Sequence, residues 1–205
     1  MRKTLTKSEV DALKKVGFIG ADRAAKALSQ IVGETIGVDV PSAGIIPLPE
    51  LPGRVGGKEE LVVGIYLPIR GDVKGSTLIL FPQKSALMLA DLFMKKEMGT
   101  AKNLDKRNKS ALEEIGNILS GYCLAALSDF LGMELLEYVP DLTYDMGGAV
   151  MEHILVKFGH EVEQVFMLKI EFNIRKIRLP VYFFLLFSIE EAGIISKAIK
   201  ARAGG

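Results

Sequence analysis

Two stretches of the chain repeat apolar residues at helical spacing. The first, Asp11 to Gly33, reads DALKKVGFIGADRAAKALSQIVG; the second, Ser110 to Gly132, reads SALEEIGNILSGYCLAALSDFLG. Apolar side chains recur every three or four residues, the period of a helix with one buried face. Both stretches stop at a glycine, Gly33 and Gly132, the residue that most readily takes the left-handed backbone of a helix end. Their starts are legible too. Thr6-x-x-Glu9 has the form of a capping box, and Asp105 is a suitable N-cap for the second helix.

The two stretches align without a gap. With Asp11 on Ser110, Ala12-Leu13 falls on Ala111-Leu112, Gly17 on Gly116 and Ile19 on Ile118, and Pro41 then falls on Pro140. The segments after the two helices also correspond. In the first half, Gly37 to Leu48, Leu61 to Ile69 (LVVGIYLPI) and Ser76 to Phe81 (STLILF) read as strands. The last two are joined at GD-x-x-G, Gly71 to Gly75, a hairpin turn. Gln83 to Lys95 reads as a helix, with Leu87, Met88, Leu92 and Phe93 apolar. In the second half, Glu134 to Leu142 parallels the first strand, and Ala149 to Phe158 is expected as an additional strand. Val165 to Phe172 and Leu179 to Ser188 form a hairpin, and Ile189 to Ala201 closes as a helix. Strands in runs, rather than in strict alternation with helices, predict an α+β fold. Its architecture is a pseudo-twofold duplication of an α-β-β-β-α unit, a largely antiparallel sheet with long helices packed on it. Residues 1–205 make one domain, the first repeat at about 5–97 and the second at about 104–203. The polar segment Met98 to Asn103 links them.

Composition narrows the function classes. Hydrophobic residues make up 49% of the chain, enough for a sizeable core, and 26 basic residues stand against 25 acidic ones. Such a balance gives no net-charge footprint for nucleic acid. The most apolar run, LPVYFFLLFSI from Leu179 to Ile189, is shorter than the ~20 residues a bilayer requires, so no membrane insertion is expected. The N-terminal MRKTLTKSEV lacks the apolar stretch of a secretory signal, and the expected location is cytoplasmic. The single cysteine, Cys123, excludes an intramolecular disulfide and falls on the apolar side of its helix, as a core thiol does. Only His153 and His160 are available as imidazoles. This disfavours a histidine-rich metal site, and each reads as a strand or loop residue.

On a wheel of about 100° per residue, Ser110, Glu114, Asn117 and Gly121 fall within roughly 60° of one another. Leu112, Ile115, Leu119, Cys123 and Ala126 lie opposite. The second helix should bury the latter set and present the former. A carboxylate and a carboxamide then stand side by side at the surface, and Gly121 leaves room beside them. A bare E-x-x-N is also what any solvated helix face contains, so the pair alone carries little information.

The longer pattern is more specific: Ser110, three residues, Glu114, two residues, Asn117, then Pro140 after a long gap. It resembles the CheC/CheX/FliY family of response-regulator phosphatases, and the segment EEIGNILSGYCLAALSDFLG resembles that family's second helix almost throughout. The resemblance implies removal of the phosphoryl group from the aspartate of a phosphorylated CheY-type response regulator. It assigns the catalytic pair to Glu114 and Asn117: Asn to orient the attacking water, Glu to pair with a lysine of the regulator and dock the helix. Ser110 and Gly121 become expected partner-binding positions. It implies no cofactor of the chain's own, the Mg²⁺ belonging to the partner regulator. CheD, a receptor-modifying deamidase, is a candidate second partner.

Phosphoryl transfer demands in-line positioning and charge neutralisation. A carboxamide both accepts from and donates to a water without adding negative charge near the phosphoryl group. A carboxylate beside it finds its match in a cation on the partner. In the first helix the corresponding positions hold Lys15 and Phe18, which do neither. One working site is therefore expected, with a degenerate first site. Phe18 either contacts a different partner or packs under a neighbouring loop. The alternative function is a binding module for CheD or the phosphorylated regulator, with little or no hydrolysis.

Overall fold

The structure, a computed structural model, describes residues 5–158 and 164–203. Its elements run α1 (Lys7–Val32), β1 (Gly37–Pro47), a 3₁₀ turn (Leu48–Glu50), α2 (Leu51–Arg54), β2 (Leu61–Gly71), β3 (Gly75–Pro82) and α3 (Gln83–Phe93). The second half continues with α4 (Lys106–Leu131), β4 (Leu135–Glu137), β5 (Asp141–Met146), α5 (Gly147–Phe158), β6 (Gln164–Ile174), β7 (Ile177–Leu186) and α6 (Ile189–Ala203).

The long helices begin and end where their sequences say. The Glu9 carboxylate accepts from the Thr6 N–H at 2.6 Å, and the Thr6 hydroxyl accepts from the Glu9 N–H at 3.4 Å. Asp105 accepts from the Asn108 N–H at 2.8 Å. Gly33 and Gly132 take φ of 76° and 65°, the left-handed conformation that closes a helix.

The seven strands form one sheet in the order β1-β6-β7-β3-β2-β4, with β5 also paired to β2, and every pairing is antiparallel. β3 and β7 meet at the centre, where Leu78 opposes Phe184. The outer strands are exchanged: β1 pairs with β6 of the second half, and β4 and β5 pair with β2 of the first. The two aligned prolines occupy comparable breaks. Pro41 sits where β1 slips register between Asp39 and Ser42, and Pro140 lies between β4 and β5. A residue with no N–H is tolerated at such breaks on sheet edges.

The central strands are buried on both faces, which accounts for their unbroken apolar runs. Along β6, Phe166, Leu168 and Ile170 face the core beneath α1, α3, α4 and α6, while Val165 and Met167 face a second core on the other side. That second core is closed by Leu48, Leu51, Val150, Met151 and Ile154 from the 3₁₀ turn, α2 and α5.

This second layer corrects two expectations. Ala149 to Phe158 is not a strand but most of α5; Val150, Met151 and Ile154 are buried at helical spacing against the back of the sheet. The first strand ends at Pro47, one residue before Leu48. There Pro49 and Pro52 sit in first turns, where a missing N–H costs nothing, and start two short helical segments. The expected strand Glu134 to Leu142 is also interrupted, at residues 138–140.

Helices α1 and α4 lie side by side and antiparallel. α6 meets the start of α1, where Ser196 donates to Glu9 at 2.5 Å, and the end of α4, where Arg202 reaches Gly132. Three glycines permit the packing. A Cβ on Gly20 would lie 2.5 Å from the Cys123 Cα; on Gly17 it would lie 2.6 Å from a Leu168 methyl, and on Gly116 2.6 Å from an Ile65 methyl. Gly17 and Gly116, aligned in sequence, thus seat their helices on β6 and β2 in the same manner. Among the described residues no helix is long and apolar enough to cross a membrane.

Candidate functional site

Helix α4 delivers the wheel's arrangement. Leu112, Ile115, Leu119, Cys123 and Ala126 are buried, while Ser110 and Glu114 are exposed and Asn117 and Gly121 are half-buried. Ser110, Glu114, Asn117 and Gly121 therefore form one stripe along the accessible side of a helix fixed at both ends. Its start is anchored by Asp91 of α3. That carboxylate is fully buried and accepts from the Gly99 and Ala101 N–H groups, each at 3.0 Å, and from the Thr100 hydroxyl at 3.1 Å. The linker is thus tied to α3 just before α4 begins. Beside Ser110 runs an open groove of about 590 Å³, lined by Phe93, Met94, Lys106, Arg107 and Ala111.

A second group of residues reaches the stripe from elsewhere in the fold. Ser120, fully buried on α4, donates to the Glu137 carboxylate of β4, and the Thr77 hydroxyl of β3 lies 2.8 Å from the Ser120 hydroxyl. Burial pushes the Glu137 carboxyl up to about 7, with the Ser120 hydrogen bond opposing that shift. Spacing along the sequence gives no sign of this residue, since β4 meets α4 only in the folded chain.

Cys123 is buried as expected, and burial, together with the Glu137 charge, pushes its thiol far above the ordinary value. It stays protonated and is no nucleophile. His153 is exposed on α5 rather than on a strand or loop, with Nε2 3.9 Å from an Asp141 carboxylate oxygen; His160 lies outside the described residues. Among the described residues no three His, Cys, Asp or Glu side chains are grouped to hold a metal.

On α1, Lys15 and Phe18 also face outward. Phe18 is 45% exposed and the adjacent Ile19 46%, so the phenyl ring is not covered by a loop. Tyr122, 40% exposed, adds a third partly uncovered large side chain on α4. The two pseudo-equivalent faces thus differ: polar on α4 around Asn117, basic and apolar on α1 around Phe18.

No protein-family model matches the chain. It is 32% identical over 161 residues to the CheY-P phosphatase CheC of Bacillus subtilis (strain 168), an alignment covering 76% of this chain and 75% of that protein. The chain belongs to the CheC/CheX/FliY family. A second relative, from Halobacterium salinarum (strain ATCC 29341 / DSM 671 / R1) and also named for CheY-P phosphatase activity, is 24% identical over 165 residues, 80% of this chain and 84% of that one. The crystal structure of Thermotoga maritima FliY matches with a TM-score of 0.78 at 20% identity, over 98% of this chain and 100% of that one. At that identity the likeness to FliY concerns the fold: an antiparallel seven-stranded sheet with long helices packed on it.

Proposed function

We propose that the chain is an aspartyl-phosphate phosphatase acting on a phosphorylated CheY-type response regulator, with one active site on α4. The observation that carries the reading is the pairing of Glu114 and Asn117, one turn apart on the accessible stripe of a capped helix, in a chain related to a CheY-P phosphatase. In the reaction a water attacks phosphorus and the bond from phosphorus to the aspartyl oxygen breaks. The aspartate leaves as a carboxylate and the water's proton ends on inorganic phosphate.

Asn117 orients that water. Its carboxamide oxygen accepts from the water and its NH₂ donates towards the phosphoryl oxygens, so no charge is added in-line with the leaving group. Glu114 takes a cationic group of the partner and fixes the helix's approach. Mg²⁺ is supplied by the regulator's own site. The duplicated plan of the chain, with repeats at about 5–97 and 104–203 of one domain, supplies a second helix face at Lys15 and Phe18 that has no carboxamide to accept from and donate to the attacking water. The reading places the protein in the cytoplasm, alongside the regulator.

The test is the lifetime of the regulator's acyl phosphate with the wild-type chain and with Asn117→Ala. Orientation of a water by one side chain is worth on the order of 100-fold in rate, and the variant should lose the acceleration while keeping its thermal unfolding profile. Undiminished acceleration by Asn117→Ala overturns the assignment.

The exposed Phe18 and Ile19 favour a second reading, a binding module in which the α1 face engages CheD or another partner and hydrolysis is secondary. Tight binding of the phosphorylated regulator with no change in phosphate lifetime would select it.

A further inference from the structure

Side chains on a helix lean towards its N-terminus, so a residue at position 121 would cover the surface beside Asn117. Gly121 has no side chain there. The fold does not demand that glycine: a Cβ built on it meets only one atom within 4 Å, a Glu137 carboxylate oxygen at 3.8 Å, an ordinary contact. The slot is occupied from outside the helix. Glu137 reaches in from β4, held by the Ser120 hydroxyl, with Thr77 behind Ser120.

We propose that Glu137 is a partner-binding residue of the docking face, filling the slot that Gly121 leaves open and contacting the phosphorylated partner beside Asn117. This rests on the reading of α4 as the surface that meets the regulator. The stripe then carries Ser110, Glu114, Asn117 and the Glu137 carboxyl as its polar groups.

The surroundings of Glu137 set its behaviour. From α4 the Ser120 hydroxyl donates to it, a Cβ at Gly121 would lie 3.8 Å from one of its oxygens, and its charge acts on the buried Cys123 thiol, which stays protonated. From β2 it is opposed by Ile69, while the neighbouring Arg70 guanidinium stacks 4.4 Å over the Tyr138 ring. From β3 the Thr77 hydroxyl approaches, through Ser120. Among the described residues none forms an ion pair with Glu137. The carboxyl is therefore neutral on the acid side of pH 7 and ionised on the alkaline side. Neutral, it donates or accepts a hydrogen bond next to a phosphoryl group; ionised, it repels one.

The experiment measures binding of the full chain to a regulator carrying a beryllofluoride adduct, an analogue of the acyl phosphate, with Mg²⁺ present, between pH 6 and 8.5. Wild-type binding should weaken by about tenfold across that range, the expected scale for one like charge a few ångströms from the phosphoryl site. Glu137→Gln, neutral at every pH and close in shape, should keep the acid-side affinity throughout. Glu137→Ala, which empties the slot, should bind several-fold more weakly than Glu137→Gln at pH 6. Binding by Glu137→Gln whose pH dependence superimposes on that of the wild type overturns this proposal alone. Absence of binding by the wild-type chain at any pH overturns the docking reading together with it.

Discussion

Replacing Gly121 by alanine should make the protein more stable and less active, and the comparison with Gly116→Ala makes that expectation quantitative. Both glycines lie inside α4, where alanine is favoured over glycine by about 1 kcal/mol. At Gly121 nothing opposes the gain, because the new methyl would sit 3.8 Å from its only neighbour. The expected result is about 1 kcal/mol of added stability, a rise in Tm of about 2–4 °C for a chain of this size. At Gly116 the methyl would lie 2.6 Å from one Ile65 methyl and 3.2 Å from the other, and Ile65 is fully buried in the core. Overpacking of that kind costs about 1–3 kcal/mol, so Gly116→Ala should lose roughly 0–2 kcal/mol after the helix gain. Urea denaturation of the two variants reads the stabilities. The acyl-phosphate lifetime reads the function, and Gly121→Ala should slow hydrolysis by about tenfold through weaker docking, since its methyl intrudes on the surface beside Asn117. A Gly121→Ala protein that is destabilised would refute the packing argument. One that is stabilised and fully active would show that the room at Gly121 serves no partner.

Three further expectations rest on carboxyls at Glu137, Glu9 and Asp91. Glu137 has a folded-state pKa raised from the ordinary range to about 7, so it favours the folded state fully at low pH and loses that advantage as pH rises from about 4.5 to about 7; denaturation at a series of pH values should show a decline of at most about 3 kcal/mol from this group, absent in Glu137→Gln. For Glu9, burial acts upward, but hydrogen bonds from Ser196 and Thr6 and the charge of Lys200 outweigh it and hold the carboxyl below its ordinary value. Its contribution is therefore present above the ordinary carboxylate range and lost as pH falls below it, and Glu9→Ala should cost about 2 kcal/mol at neutral pH by removing a helix cap and the tie to α6. Asp91→Ala leaves the Gly99 and Ala101 N–H groups without their acceptor; a loss of about 2–3 kcal/mol and faster hydrogen exchange at those two amides are expected, with α4 itself still protected.

Much of this architecture is written locally in the chain. Thr6, Glu9 and Asp105 mark helix starts because side-chain oxygens there satisfy free N–H groups within a few residues. Gly33 and Gly132 mark the ends for an equally local reason. The hairpin from β6 to β7 turns at Arg175 and Lys176, both at positive φ, and was legible from the apolar runs on either side rather than from the turn itself. What misled was the second layer. Val150, Met151 and Ile154 bury at helical spacing, but in a short segment rich in aliphatic residues that spacing is hard to tell from a strand, and the core they close takes residues such as Val62, Leu78 and Leu80 from β2 and β3, remote in sequence. The two-proline segment from Leu48 to Arg54 likewise resembles a loop until its leucines are seen in that same core. At the site, Glu114 and Asn117 share a helix, so periodicity alone set them side by side. Glu137 belongs to a strand, and only the packing of β4 on α4 brings it to Gly121.

The exchange of outer strands has a consequence for how the chain comes to be folded. β1 is made well before β6: Asp39 finds its partner only when Glu171 has been made, on the order of ten seconds later at ordinary rates of translation. For the first part of that interval, until Leu131 has been made, α1 has no complete α4 to lie against, and throughout it the edge of β1 is open to any other extended chain nearby. A nascent chain of this design must wait for its own second half. Pauses, truncations or crowded polysomes should therefore harm it more than they would two independent domains of the same length.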